Sequence, residues 1–232
     1  MPRISRAIAV GYPHHITQRG NYRQTVFADV DDYTQYLGWL AQYAPKYGLD
    51  IWAYCLMPNH IHLVGVPGNN DSLARTLNTV HMRYAQHYNH KMDSKGHLWQ
   101  GRFFSCVLDE RHMYAAVRYV ELNPVRSGIV ESPHDYPWSS AKSHVIGLHD
   151  PVLSAPCILT EMVSDWRQYL GDQQDSEAQI KIIKATNSGH PCGADEFVKQ
   201  MEIVLNRRFT ALPAGRPRTR KKEETNPSSS ES

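Results

Sequence analysis

Tyr54-Cys55-Leu56-Met57-Pro58-Asn59-His60-Ile61-His62-Leu63 decides the architecture of this chain. Apolar runs over 49–56 and 60–66 read as strands, and Met57-Pro58-Asn59 is long enough only for a tight connector between them. A doubly wound parallel sheet needs a helix at that place, so the hairpin excludes it. The stretch also sets two histidines two residues apart on a strand. Such positions share a face, about 7 Å apart at Cα for a rise of roughly 3.3 Å per residue. Two imidazoles so placed can converge on one cation, while Ile61 turns to the core.

Working outward, a strand is expected around His14-His15-Ile16-Thr17, ended by Arg19-Gly20-Asn21. A helix follows, with Asp29, Asp31 and Asp32 at its start and Tyr33, Tyr36, Leu37, Leu40, Tyr43, Ala44 and Tyr47 at helical spacing up to Gly48. Downstream, Gly68-Asn69-Asn70 forms a loop and Asp71 or Ser72 caps a second helix. Leu73, Leu77, Val80, Tyr84 and Tyr88 line its inner face, while His81, Arg83, His87 and His90 are assigned to the exposed side. A fourth strand is expected over 98–108, entered through Trp99-Gln100-Gly101-Arg102. A third helix runs from about Arg111 toward Asn123, where Pro124 disfavours helical geometry in the residue before it. The order strand, helix, strand, strand, helix, strand, helix is α+β and fits a ferredoxin-like antiparallel sheet with helices on one face.

Beyond 130 the prolines Pro133, Pro137, Pro151 and Pro156 mark loops, with further helices expected over 176–186 and 194–208. The division is therefore a main domain over 1–150, a mostly helical extension over 151–212 and a basic tail over 213–232. The tail has almost nothing apolar and is expected to be disordered. The net charge of +2 permits a nucleic-acid partner without demanding one. No apolar run approaches the roughly 20 residues that span a bilayer, so no membrane partner is expected. The four cysteines, Cys55, Cys106, Cys157 and Cys192, form no Cys-x-x-Cys pair. They read as reduced thiols of a cytoplasmic protein, not as a zinc knuckle.

Two features carry chemistry. His60 and His62 form the first; in a chain with 13 histidines the pair is also compatible with a surface or satisfied-core role. Tyr119 and Asn123 form the second, one helical turn apart and on one flank of the core stripe Met113, Ala116, Val117 and Val120. A tyrosine hydroxyl of ordinary pKa near 10 is a poor nucleophile, but beside a divalent cation it can attack a phosphodiester. The bland alternative is packing at the sheet edge. If the third helix crosses the sheet, Asn123 adds a carboxamide oxygen to the two histidines, a set suited to Mg²⁺ or Mn²⁺; zinc is also compatible.

The segment 54–63 resembles the His-hydrophobic-His motif of single-tyrosine HUH transposases, and Tyr119-Val120-Glu121-Leu122-Asn123-Pro124-Val125-Arg126-Ser127-Gly128 resembles their tyrosine helix. His15-Ile16-Thr17-Gln18-Arg19-Gly20-Asn21 and Leu98-Trp99-Gln100-Gly101-Arg102-Phe103 are similar to that family's first strand and the entry to its fourth. The nearest branch by these motifs is the REP-associated tyrosine transposases. The resemblance implies a nuclease and strand transferase for single-stranded, hairpin-associated DNA, acting in transposition or repeat processing through a 5′-phosphotyrosine. It implies Tyr119 as nucleophile, His60 and His62 as catalytic metal ligands, and Asn123 as a third ligand to Mg²⁺ or Mn²⁺. It also implies a monomer or homodimer associated with the nucleoid.

Arg19, Arg23, Arg102, Arg118 and Arg126 flank these motifs and are candidates for phosphate contacts. Tyr22, Trp99 and Phe103 are candidates for base stacking, with a core role equally open for the last two. In the tail, Arg216 and Arg218 flank Pro217 in a Gly-Arg-Pro segment that resembles an AT-hook; a non-specific basic tail is the alternative. Two rival functions stand beside this reading. A barrel metallohydrolase using His-x-His would need eight strand–helix units, which this chain does not offer. A catalytically inactive, sequence-specific DNA-binding protein of the same fold would bind DNA without a covalent adduct.

Overall fold

The computed structural model describes residues 6–154, 158–172 and 175–210. Four strands, β1 (His14–Arg19), β2 (Leu49–Met57), β3 (His60–Pro67) and β4 (Phe104–Val107), form one antiparallel sheet in the order β2-β3-β1-β4. This is the ferredoxin-like arrangement, and Pro58 and Asn59 alone turn β2 into β3. The register opposes Arg19 to His60 and Thr17 to His62. A bulge at Trp52 shifts the β2 register between Ile51 and Ala53, so Ile51 faces one side of the sheet and Ala53 the other.

On the first face lie α1 (Val30–Lys46) and α2 (Ser72–Lys91). Asp29 caps α1 by accepting from the Asp32 backbone N–H, and the buried stripe Tyr33, Tyr36, Leu40, Tyr43 and Ala44 follows the spacing read from sequence. It packs with Leu73, Leu77, Val80 and Tyr84 of α2 against Ile16, Ile61 and Leu63. Each such apolar side chain removed from water contributes roughly 1.5–3 kcal/mol. Lys91 ties the end of α2 to the start of α1 through Asp29 (2.6 Å) and Asp32 (2.8 Å).

The second face is covered too, which corrects the expectation of helices on one side. Here α3 (Glu110–Glu121) crosses β2 and β3, burying Met113, Ala116, Val117 and Val120. After a break at Leu122, helical geometry resumes in the short α4 (Asn123–Arg126), because proline is tolerated in a first helical turn. Small helices α5 (Ala141–Ile146), α6 (Ile158–Met162) and α7 (Trp166–Gly171) lead to α8 (Ser176–Ser188) and α9 (Asp195–Val204). Of these, α8 packs on β4 and β1 beside α3.

Two expectations need correcting here. The fourth strand covers only Phe104–Val107; the preceding segment pairs once, Gly20 with Trp99, and then folds over α2. His81, assigned to the exposed face of α2, is buried, with its Nε2 3.0 Å from the Tyr36 hydroxyl. The expected basic tail, with Arg216 and Arg218, lies outside the described residues, as does Cys157.

Candidate active site

The pleat of β3 turns His60, His62 and Val64 toward α3, and Ile61 and Leu63 toward α1 and α2. The His60 and His62 rings stand 4.9 Å apart at their centroids. Hydrogen bonds fix the tautomer of each. Asn59 donates through Nδ2 to Arg23 O, so its Oδ1 accepts from His60 Nδ1–H at 2.6 Å. His62 Nδ1 lies 3.0 Å from His15 Nε2, which in turn is held by Thr186. Burial lowers the His60 pKa to about 4, helped by Arg19. Burial lowers that of His62 further, with His15, His60, Arg126 and Arg19 adding to the shift. Both imidazoles are therefore neutral at pH 7 with Nδ1 occupied, which leaves Nε2 as the donor atom a cation requires. Among the described residues no group of three or more His, Cys, Asp and Glu side chains is arranged to hold a metal ion. A cation here would need oxygen donors from a carboxamide, water or a phosphate.

Tyr119 comes to this pair from the helix. Its ring meets those of His62 and His15 edge-on at 5.3 and 5.8 Å. Behind it, the Arg126 guanidinium lies 4.0 Å above the tyrosine ring and donates to Tyr119 O and to Gln179 Oε1. A cleft of about 220 Å³ opens in front of Tyr119 and His62, walled by His15, Thr17, Arg19 and Gln100 and, from α8, by Ile183, Thr186 and Asn187. Gly20 is required close by for space: a Cβ there would lie 2.5 Å from Gln24 O.

The remaining candidates divide. Asn123 is buried at the first position of α4 and does not line the cleft. Arg19 lines it, while Arg23 is exposed on the turn that Asn59 holds. Arg102 is exposed beside Trp99 and Phe103, in a separate hollow under α2. Arg118 faces away from the cleft, stacked 4.4 Å from the Tyr169 ring of α7. Trp99 and Phe103 are buried in the core, whereas Tyr22 is 93% exposed. Sequence reasoning missed His15 and Thr186 as members of the site. His15 stood inside a quoted motif; Thr186 gave no local signal, because its meaning depends on contact with a strand 171 residues away.

Residues 10–123, which hold β1 to β4, both histidines, Tyr119 and Asn123, match the family model for IS200-like transposases. This part of the chain is similar to the IS200-like transposases. A Haemophilus influenzae protein named as a REP-associated tyrosine transposase is 27% identical over 110 residues, spanning 43% of this chain and 62% of that protein. The solved structure of a REP-associated tyrosine transposase bound to a REP hairpin aligns with 68% of this chain and 96% of its own. Its TM-score is 0.51 at 20% identity, which supports a shared fold. The IS200-like segment ends at 123, so Arg126, α8 and everything between them lie beyond it.

Proposed function

We propose that this protein is a divalent-metal-dependent DNA transposase of the single-tyrosine kind, cutting and rejoining single-stranded DNA beside a hairpin. The observation that carries the reading is the convergence of Tyr119 on His62 across one cleft, with His60 and His62 both neutral and offering Nε2. The REP hairpin bound to the structurally similar transposase supports a hairpin as the partner. Mg²⁺ or Mn²⁺ held by His60 and His62 would neutralise charge on the non-bridging phosphate oxygens; Asn123, buried outside the cleft, would have to turn into it to serve as the third protein ligand.

The chain's own groups then divide the work. Tyr119 Oη bonds to phosphorus as the bond from phosphorus to the 3′ oxygen breaks. The tyrosine proton is lost to solvent, the departing oxygen takes one up, and the 5′ phosphate stays on Tyr119. Attack by a 3′-hydroxyl on that phosphotyrosine reverses the exchange and rejoins strands. Arg126 fixes the ring plane of the nucleophile, and Arg19 faces the phosphate from the cleft wall.

The test is incubation with labelled single-stranded hairpin DNA and Mg²⁺ or Mn²⁺, followed by a denaturing gel. A protein–DNA adduct that requires metal and disappears in Tyr119→Phe and in His60→Ala is expected. Tight binding without an adduct would overturn the reading in favour of a catalytically inactive DNA-binding protein. An adduct that survives Tyr119→Phe would assign the nucleophile elsewhere.

A further inference from the structure

Beyond the family-matched segment, α8 brings one hydroxyl into the site, and a continuous chain of hydrogen bonds runs from it to His62. Thr186 Oγ1 lies 2.7 Å from Ile182 O, 2.7 Å from His15 Nδ1 and 3.2 Å from Cys106 Sγ. A carbonyl only accepts, so the single hydroxyl proton points at Ile182. The Thr186 oxygen must then accept from both other neighbours. Burial raises the Cys106 pKa to about 12, so its thiol keeps the proton it donates. His15 is buried, and its two ring nitrogens meet the Thr186 hydroxyl and His62 with no carboxylate of the described residues beside them, so its ring is neutral and carries one proton. That proton sits on Nδ1, facing Thr186, and leaves Nε2 bare. Across 3.0 Å, His62 Nδ1 must supply the proton of the next bond, and His62 Nε2 is left without one.

We propose that Thr186 and His15 are positioning residues that set the tautomer of His62, so that the C-terminal helix α8 helps prepare the cation site. The inference rests on reading His60 and His62 as metal ligands. It separates the two ligands by what governs them. His60 takes its tautomer from Asn59 in the β2–β3 turn, whereas His62 takes its own from a residue outside the IS200-like segment. Loss of the Thr186 oxygen releases the His15 proton to Nε2. It then points at His62 Nδ1 and drives the His62 proton to Nε2, where a cation would have to bind. Outer partners of this kind are worth about 10–100-fold in metal affinity.

The experiment uses the full chain without DNA. Long-range ¹H–¹⁵N spectra of the metal-free protein report which His62 nitrogen is protonated, and electron paramagnetic resonance of free Mn²⁺ reports affinity. In the wild type, His62 is expected to carry its proton on Nδ1. Thr186→Val should move it to Nε2 and weaken Mn²⁺ binding about tenfold. Thr186→Ser should restore both, and Cys106→Ala, which disturbs packing around the same hydroxyl, should leave both unchanged. A wild-type His62 protonated on Nε2 overturns the proposal without any variant. So does a Thr186→Val protein with unaltered tautomer and affinity, or a Thr186→Ser protein no better than Thr186→Val. A wild type that binds no Mn²⁺ overturns the metal-ligand reading instead, because the tautomer measurement needs no metal.

Discussion

Arg126 holds Tyr119 in two ways at once, by its charge over the ring and by a hydrogen bond to the backbone carbonyl of the same residue. The planar guanidinium stacks on the ring while its N–H groups donate in a fixed fork, a geometry that a point-like ammonium does not reproduce. Arg126→Ala should therefore slow single-turnover adduct formation about tenfold, the equivalent of about 1.4 kcal/mol and in the range of a partly desolvated cation–π contact. Arg126→Lys should recover little of it, while Mn²⁺ binding should not weaken in either variant, because the Arg126 charge opposes a cation at His62. Equal rates for all three proteins would remove Arg126 from the site. At this scale the sequence was legible wherever chemistry follows spacing. His60 and His62 share a face because they are two residues apart on a strand, and Tyr119 flanks the stripe of α3 because that stripe is short. His81 shows the limit. It stands four residues after Leu77 and three before Tyr84, inside the buried stripe, but its polarity argued for solvent until Tyr36 supplied a partner.

Among the described connecting segments, the turn after β1 holds two consecutive non-glycine residues at positive φ. Tyr22 and Arg23 hold φ of 51° and 62°, values that non-glycine residues rarely adopt, and Tyr22 has almost no contact to repay the cost. Asn59 anchors the turn through Arg23 O and also bonds His60, so the exposed ring stands on the same support as the first histidine. An aromatic ring kept there at a cost of about 1 kcal/mol suits stacking on an unpaired base, worth roughly 1–3 kcal/mol. Tyr22→Gly should thus raise the melting temperature by a few degrees while weakening single-stranded DNA binding about tenfold. Loss of stability, or unchanged affinity in a fluorescence titration, would refute this. The length of the fourth strand was not legible for a related reason. Leu98, Trp99 and Phe103 have strand composition, but Gly96 and Gly101 at φ of 115° and 141° bend the chain away from β1. Their apolar bulk fills the core under α2 instead.

Across the whole molecule, the two edges of the sheet are closed by segments whose sequence carries no strand pattern. Leu56 donates to Trp138 O and Ser140 to Tyr54 O along β2, while Cys192 pairs beside β4 through Val107 O. Covered edges protect a four-stranded sheet from pairing with other chains, and they also explain why residues beyond 130 gave so weak a signal: their role is set by the sheet they meet. The same burial makes the fold sensitive to acid. His14 donates from Nδ1 to Tyr12 O and accepts on Nε2 from the Ala9 N–H. Burial lowers the pKa of His14 to about 4 and that of His81 to about 3, against about 6.5 in the unfolded chain. Above pH 6.5 both states are neutral at these rings and nothing is lost. As pH falls from 6.5 toward 4, the unfolded chain binds protons that the native protein refuses, and stability declines. The urea midpoint should hold steady from pH 8 to 7 and drop progressively from pH 6 to 4.5, a window above the range in which carboxylates titrate most. His81→Gln, which keeps a partner for Tyr36 and cannot be protonated there, should flatten part of that decline. A midpoint constant down to pH 4.5 would mean that the native state admits these protons after all.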